Sequence, residues 1–325
     1  MEGYPMELEQ QLADKSAKAK TSTLSFIKKE LIRNKYVYLM LIPVVAYYFI
    51  FSYGPMYGLL MAFQKSYSPI KGIMEGKWIG FDNFTMFFES YYFWRIIKNT
   101  LILSFYSIVF GFPAPIILAL LLNEVRLKWF KSTVQTVSYM PHFISVVVVV
   151  GMLKTFSALD GGLFNVIRSF FDLQPVMFLA EADMFRPMYI LSNIWQGAGW
   201  ASIIFLAALS GIDPQLYEAA KMDGAGRWKQ LMHITLPGIL PTIVVMLILR
   251  LGAVMNSDFQ KILLMQTAPT YETSDVISTF VYRSGILEGN YTYSTAIGLI
   301  NGVINFSLLL LANSISRKVN STSLW

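Results

Sequence analysis

An all-α membrane protein with six transmembrane helices and both termini in the cytoplasm is the fold this sequence predicts, and three observations predict it. Of 325 residues, 55% are hydrophobic and 14% charged, and the mean hydropathy is +0.50, more apolar surface than a soluble fold of this size can bury. Apolar runs long enough to cross a bilayer, about 20 residues each, recur six times. The Lys and Arg residues collect in the polar stretches between them, most densely before the first run.

The spans are read at Tyr36–Phe63, Ile97–Leu122, Val134–Phe156, Met188–Ser210, Gly238–Met255 and Tyr293–Ile315. The first follows Lys28, Lys29, Arg33 and Lys35, which resembles a signal peptide's basic end. Its apolar run is about twice the 7–15 residues of a cleavable signal core, so it reads as a retained anchor. Residues 1–24 are polar and lysine-containing with no apolar period, and read as a mobile cytoplasmic tail; residues 25–325 form the transmembrane domain. Seven of the 26 Lys and Arg residues precede Tyr36, and this bias places the N-terminus and the 211–237 loop in the cytoplasm. Gly54-Pro55 and Pro113-Ala114-Pro115 read as helix bends.

Composition also excludes classes. The chain has no cysteine, so disulfides, thiol catalysis and thiolate metal sites are out, and His142 and His233 are too far apart in sequence to suggest a metal cluster. The net charge of +6 is explained by basic ends meeting anionic lipid headgroups, not by nucleic acid. The nearest approach to a phosphate loop, Gly72 to Gly76-Lys77, is one residue short and carries Trp78 where Ser or Thr is needed. No Ser, His and Asp set occurs at motif spacing, so the chain does not read as an enzyme.

The 211–237 loop carries the most information. Asp213 suits an N-cap and Pro214 a first helical position, so a short helix is expected through Glu218, Ala219, Ala220 and Lys221. Asp223-Gly224 turns the chain, and a second helix from about Gly226 leads into Ile234, Leu236 and Pro237, with Pro237 near the start of the fifth span, where its missing N–H costs little. An amphipathic connector on the lipid surface is the bland alternative. The spacing Glu-Ala-Ala, three residues, Gly, nine residues, Ile, one residue, Leu-Pro resembles the "EAA" loop of permease subunits of ATP-binding cassette (ABC) importers. That resemblance implies the type I ABC importer permease fold and a loop, built on Glu218, Ala219, Ala220, Asp223, Gly224, Ile234, Leu236 and Pro237, that docks into a cleft of a cytoplasmic ATPase.

Softer motifs narrow it. Gly80-Phe81-Asp82-Asn83-Phe84, Phe93-Trp94 and Asn99-Thr100-Leu101 resemble carbohydrate-uptake permeases. Pro141-His142-Phe143-Ile144-Ser145, Thr279-Phe280-Val281-Tyr282-Arg283 and Ser323-Leu324-Trp325 resemble the branch for oligosaccharides and polysaccharides. The family resemblance implies a bacterial cytoplasmic membrane protein forming half of a pore, with a second related permease, two ATPase subunits that bind ATP and Mg, an extracytoplasmic sugar-binding protein and a carbohydrate cargo. It implies no cofactor bound by this chain. A self-sufficient secondary transporter or channel for a small polar solute is the alternative, and would need no ATPase.

Polar residues within spans supply candidates for a cargo path. Asn193, Gln196 and Trp200 share one side of the fourth span, and Asn301 and Asn305 are one turn apart in the sixth. Amides beside an indole suit sugars, while the same residues could equally bond neighbouring helices. Arg250 lies about 18 Å into the fifth span at 1.5 Å per residue. It could hold a uronate, bond carbonyls or a carboxylate of the partner permease, or snorkel outward. Asn256 and Asp258 continue that polar strip towards the outer surface.

Overall fold

The structure, a computed structural model, describes residues 28–320 apart from 69, 71, 254, 256 and 257; the expected tail at 1–24 and the candidate Asn256 lie outside the described residues. The chain divides into two units, Met1–Leu60 and Met61–Trp325. The first carries most of helix α1 (Lys35–Phe63). The second contains α2 (Asp82–Glu89), α3 (Phe93–Glu124), α4 (Lys128–Phe143), α5 (Val146–Phe156), α6 (Leu163–Ser169), α7 (Ala182–Ser210), α8 (Pro214–Met222), α9 (Arg227–Gly252), α10 (Phe259–Met265), α11 (Tyr271–Ser274), α12 (Ile277–Tyr282) and α13 (Tyr291–Asn320). Among the described residues there is no strand, only one antiparallel bridge between Gln64 and Trp78. Among the described residues five helices, α1, α3, α7, α9 and α13, are long and apolar enough to cross a membrane.

The third expected span is the main correction. Instead of one helix over Val134–Phe156, α4 and α5 meet at a bend of 100°. Pro141 opens a short 3₁₀ turn, Ile144 is extended, and Ser145 caps α5 by accepting the Val148 N–H at 3.4 Å. A proline lacking its donor and a serine competing for helical N–H groups both end helices, and apolar content alone concealed them.

Prolines elsewhere do not break the helices. In α1 the Gly54 N–H reaches back five residues to the Phe49 carbonyl and Pro55 follows; in α3 Phe112 reaches Ser107 and Pro113 follows; in α9 Leu236 reaches Leu231 and Pro237 follows. Each is a π turn, widened just before a residue that cannot donate and whose ring would crowd the carbonyl four back. So the helix that carries the fifth apolar run begins at Arg227, upstream of Pro237.

Among its described residues the second unit has three apolar cores. One gathers Leu103, Val150, Phe185, Tyr189, Ile262 and Met265; a second Phe87, Ile96, Met255, Ile277, Phe280 and Ile297; a third Ile116, Ala119, Phe205, Leu209 and Ile239. The softer motifs prove to be the polar fasteners between them. Asn99, buried in α3, donates to the Glu272 and Asp275 carbonyls at 2.9 and 3.1 Å and accepts from Arg186 at 2.8 Å. Thr100 accepts the Ile277 N–H at 3.0 Å, and Asn83 donates to the Ala62 and Gln64 carbonyls at 2.8 and 2.9 Å. Buried amides saturated in this way fix loop register.

Gly199 in α7 lets α4 approach closely, because a Cβ there would fall on the Ser138 carbonyl. Gly199→Val is therefore expected to cost about 1–3 kcal/mol by overpacking. A thermal midpoint in detergent equal to that of the unaltered protein would contradict this packing.

Candidate functional site

The 211–237 loop is built as its sequence spacing requires. Asp213 accepts the Gln215 N–H at 2.9 Å and Pro214 opens α8. The helix ends with Gly224 at φ +74°, the Gly224 N–H bonding the Lys221 carbonyl at 3.0 Å and the Ala225 N–H the Ala220 carbonyl at 2.8 Å. This is a Schellman closure, in which a left-handed residue satisfies the last carbonyls. It explains the four-residue step from Ala220 to Gly224: the Glu-Ala-Ala segment is the final part of the helix, and the glycine is the stop.

The loop is strapped to the start of α9. Tyr217 Oη lies 3.0 Å from Thr235 Oγ1, and Gln230 donates to the Ala225 carbonyl at 2.7 Å. Glu218, Ala219 and Asp223 are exposed, whereas Ala220, Ile234 and Leu236 are half-buried and Thr235 is buried. The motif residues thus divide into an exposed face, a conformational stop, packing residues, and Pro237 after its π turn.

The path candidates divide as well. A cavity of about 620 Å³ is lined by Ser107, Tyr189, Asn193, Gln196, Arg250 and Asp258, together with the 142–146 bend. Arg250 is exposed to it and donates to Ser107 Oγ at 2.5 Å. Tyr189 Oη accepts the Asp258 N–H at 3.2 Å, and the Asp258 carboxylate caps α10 by accepting the Lys261 N–H at 3.3 Å. Trp200 does not line this cavity; its ring stacks on His142 at 4.9 Å, with 1° between the planes. Asn305 is buried and accepts the Met255 N–H at 3.1 Å, a fastener between helices, and Asn301 is not among the lining residues.

Sequence reading missed Lys261. Its side chain is 0% exposed, and its ammonium donates to Asn193 Oδ1 at 2.7 Å and Gln196 Oε1 at 3.1 Å. Gln196 donates in turn to the Ile144 carbonyl at 2.9 Å, so both amide oxygens are committed to a cation and one amide nitrogen to the bend. Burial pushes the Lys261 pKa down to about 8, against an upward pull from Asp258. No salt bridge reaches it among the described residues. The available signal was a lysine inside the apolar run of Phe259–Met265, but a single charge in a short loop helix does not reveal its burial. Among the described residues no cluster of His, Cys, Asp and Glu could hold a metal.

Comparison with known proteins decides what this frame is. Residues 111–321 match the family described as binding-protein-dependent transport system inner membrane component. The chain belongs to this family. The permease is 44% identical over 296 residues to the polygalacturonan/rhamnogalacturonan transport system permease protein YteP of Bacillus subtilis (strain 168), covering 91% of this chain and 92% of that protein. It is 45% identical over 293 residues to protein LplB of the same organism, covering 90% and 92%. Among solved structures it matches a chain of a bacterial ABC transporter involved in import of the acidic polysaccharide alginate, at TM-score 0.85 and 46% identity, covering 90% of this chain and 99% of that one. The same transporter, in complex with an alginate pentasaccharide-bound periplasmic protein, matches at TM-score 0.85 and 45% identity.

The permease therefore has the type I ABC importer permease fold and is a multi-pass inner membrane component of a sugar or polysaccharide transporter. It is not an enzyme, and ATP hydrolysis belongs to a separate subunit.

Proposed function

We propose that this permease forms half of the pore of a bacterial importer for acidic oligosaccharides, in the cytoplasmic membrane with both termini inside, the bent α4–α5 pair completing six spans. The observation that carries the acidic assignment is the cavity in which Arg250 is exposed while Lys261 holds a second positive charge behind Asn193 and Gln196. Only Asp258 opposes them among the charged residues lining it. In a space of low dielectric two cations attract a carboxylate more strongly than water would. Relatives described as moving polygalacturonan, rhamnogalacturonan and alginate support the same charge.

The working cycle requires partners. A loaded extracytoplasmic receptor docks on the outer loops, and two ATPase subunits close on ATP and Mg. The face of α8 bearing Glu218 and Ala219 transmits that closure through the Tyr217–Thr235 strap into α9, which carries Arg250. A second, related permease supplies the other wall.

The test is reconstitution with the partner permease, ATPase and receptor, measuring ATP hydrolysis stimulated by receptor plus trigalacturonate or plus maltotriose. Stimulation by the acidic sugar, lowered about tenfold in Arg250→Gln, is expected; a partially desolvated charged contact of 1.4 kcal/mol has that size. Equal stimulation by both sugars, unaffected by Arg250→Gln, would refute the acidic cargo.

A further inference from the structure

A second, larger cavity of about 1000 Å³ lies among the 64–95 segment, the 271–288 segment and the start of α13. It sits at the end of the helices opposite the 211–226 loop: α11 is tied to the beginning of α7, where Thr273 donates to the Ala182 carbonyl at 2.6 Å, while the far end of α7 runs into that loop. Its charged lining is Lys65, Lys77, Arg95 and Arg283 against Asp82 and Glu288.

Beneath it, the fully buried Asp275 receives two guanidinium groups on the same oxygen. Arg283 Nη2 is 2.7 Å and Arg95 Nη2 3.0 Å from Oδ2, and Thr279 donates to Oδ1 at 3.1 Å. One carboxylate balances one of the two cations. The Arg95 and Arg283 side chains remain 27% and 21% exposed and line the cavity, so part of each guanidinium-bearing side chain, with its five donors, is open to a ligand. The rings of Tyr92, Tyr271 and Phe280 flank the guanidinium groups at 4.8–5.5 Å, and such walls also suit the apolar faces of sugar rings. Burial opposes the Arg283 charge, but the bond and field of Asp275 outweigh it and raise the pKa.

We propose that this cavity is a second binding site, for a carboxylate-bearing sugar unit of the oligosaccharide, held by Arg95 and Arg283 with Lys65 and Lys77 at the rim. It rests on the acidic-cargo reading above, and adds a receiving site separate from the cavity of Arg250. Its volume is at the upper end of small-molecule sites, about 300–1,000 Å³, and its concavity favours a sugar over a flat protein face.

Replacing Arg95 or Arg283 would leave Asp275 without a partner and could unfold the protein, so the test uses the rim. The chain has no cysteine, and Asn290 is exposed in the lining. Asn290→Cys, in the reconstituted transporter without receptor, is labelled with a charged maleimide in the presence of trigalacturonate or maltotriose. Trigalacturonate at ten times its Kd should slow labelling about tenfold, following 1 + [L]/Kd, and maltotriose should not. The protective concentration should rise about fivefold in a Lys65→Gln, Lys77→Gln background and stay unchanged in Arg250→Gln.

Equal protection by both sugars overturns the site. So does no protection by trigalacturonate when the complete transporter still imports it, and this leaves the acidic-cargo reading standing. If the complete transporter imports maltotriose and not trigalacturonate, the cargo reading falls and takes the site with it. Protection by unloaded receptor alone, weakened by the lysine changes, with none from trigalacturonate, reassigns the cavity to receptor docking and also overturns the proposal.

Discussion

Glu218→Lys is expected to abolish most receptor-stimulated ATP hydrolysis while leaving the membrane helices folded. The side chain is exposed on α8, and no salt bridge holds it among the described residues, so its loss removes nothing from the fold. Reversing a charge that pairs across a docked interface costs about 2–5 kcal/mol, a loss of roughly 30-fold or more in the bound population. Gly224→Val should act by another route. A β-branched residue at φ +74° is strained by about 1–2 kcal/mol, and the Schellman closure that ends α8 is lost, misplacing an unaltered Glu218. Both variants should lose the ATPase on affinity purification in mild detergent while retaining the partner permease. Unchanged recovery of the ATPase with turnover within twofold of the unaltered protein would remove the coupling role from this loop.

The second large effect is expected from Lys261→Met. Methionine fills a similar volume but leaves Asn193 Oδ1 and Gln196 Oε1 without their donor, at about 1–3 kcal/mol for each stranded acceptor. It also removes one of the two cations that define the cavity. The KM for acidic cargo should rise at least about tenfold, with a smaller change for a neutral sugar; a merely structural lysine would move both alike. Lys261→Arg should restore the preference in part.

The pH dependence has two signs. Because the Lys261 pKa is lowered from 10.5 to about 8, charge-dependent uptake should fall as pH rises through 8. Over the window from about 8 to 10.5 the unfolded chain binds the proton and the fold does not, so the contribution of Lys261 to stability rises with pH. Asp258, Tyr189 and Arg250 share this neighbourhood, so the uptake profile is read against Lys261→Met, which should flatten it near pH 8.

The loop around Glu218 was legible because its determinants are local. An N-cap, a first-turn proline and a left-handed glycine each act within one or two turns, so spacing along the chain maps directly onto geometry. Five spans were legible for a related reason, since apolar length is measured against a fixed bilayer thickness. The bend within the third apolar run was not legible, because hydropathy averaged over Met140–Ser145 takes no account of a proline and a capping serine, which between them turn the chain by 100°.

Candidate path residues fared less evenly for a different reason. Helical spacing puts Asn193 and Gln196 on one side of α7, but the partner of both is Lys261, more than sixty residues away. Trp200, on the same face by period, is taken by His142, and Asn305 by the Met255 backbone. The motifs centred on Asn83 and Asn99 signalled kinship without showing that they fasten segments distant in sequence.

The sequence by itself determined the membrane class, the approximate spans and the internal geometry of the 211–237 loop, because hydrophobic length and backbone capping are properties of contiguous residues. Only the tertiary structure decided which polar groups meet. A buried charge in a helix bundle is satisfied by whatever the packing brings within hydrogen-bond reach, and the pairing of Lys261 with Asn193 and Gln196, or of Arg95 and Arg283 with Asp275, is set by how α3, α7 and the 258–288 segment come together.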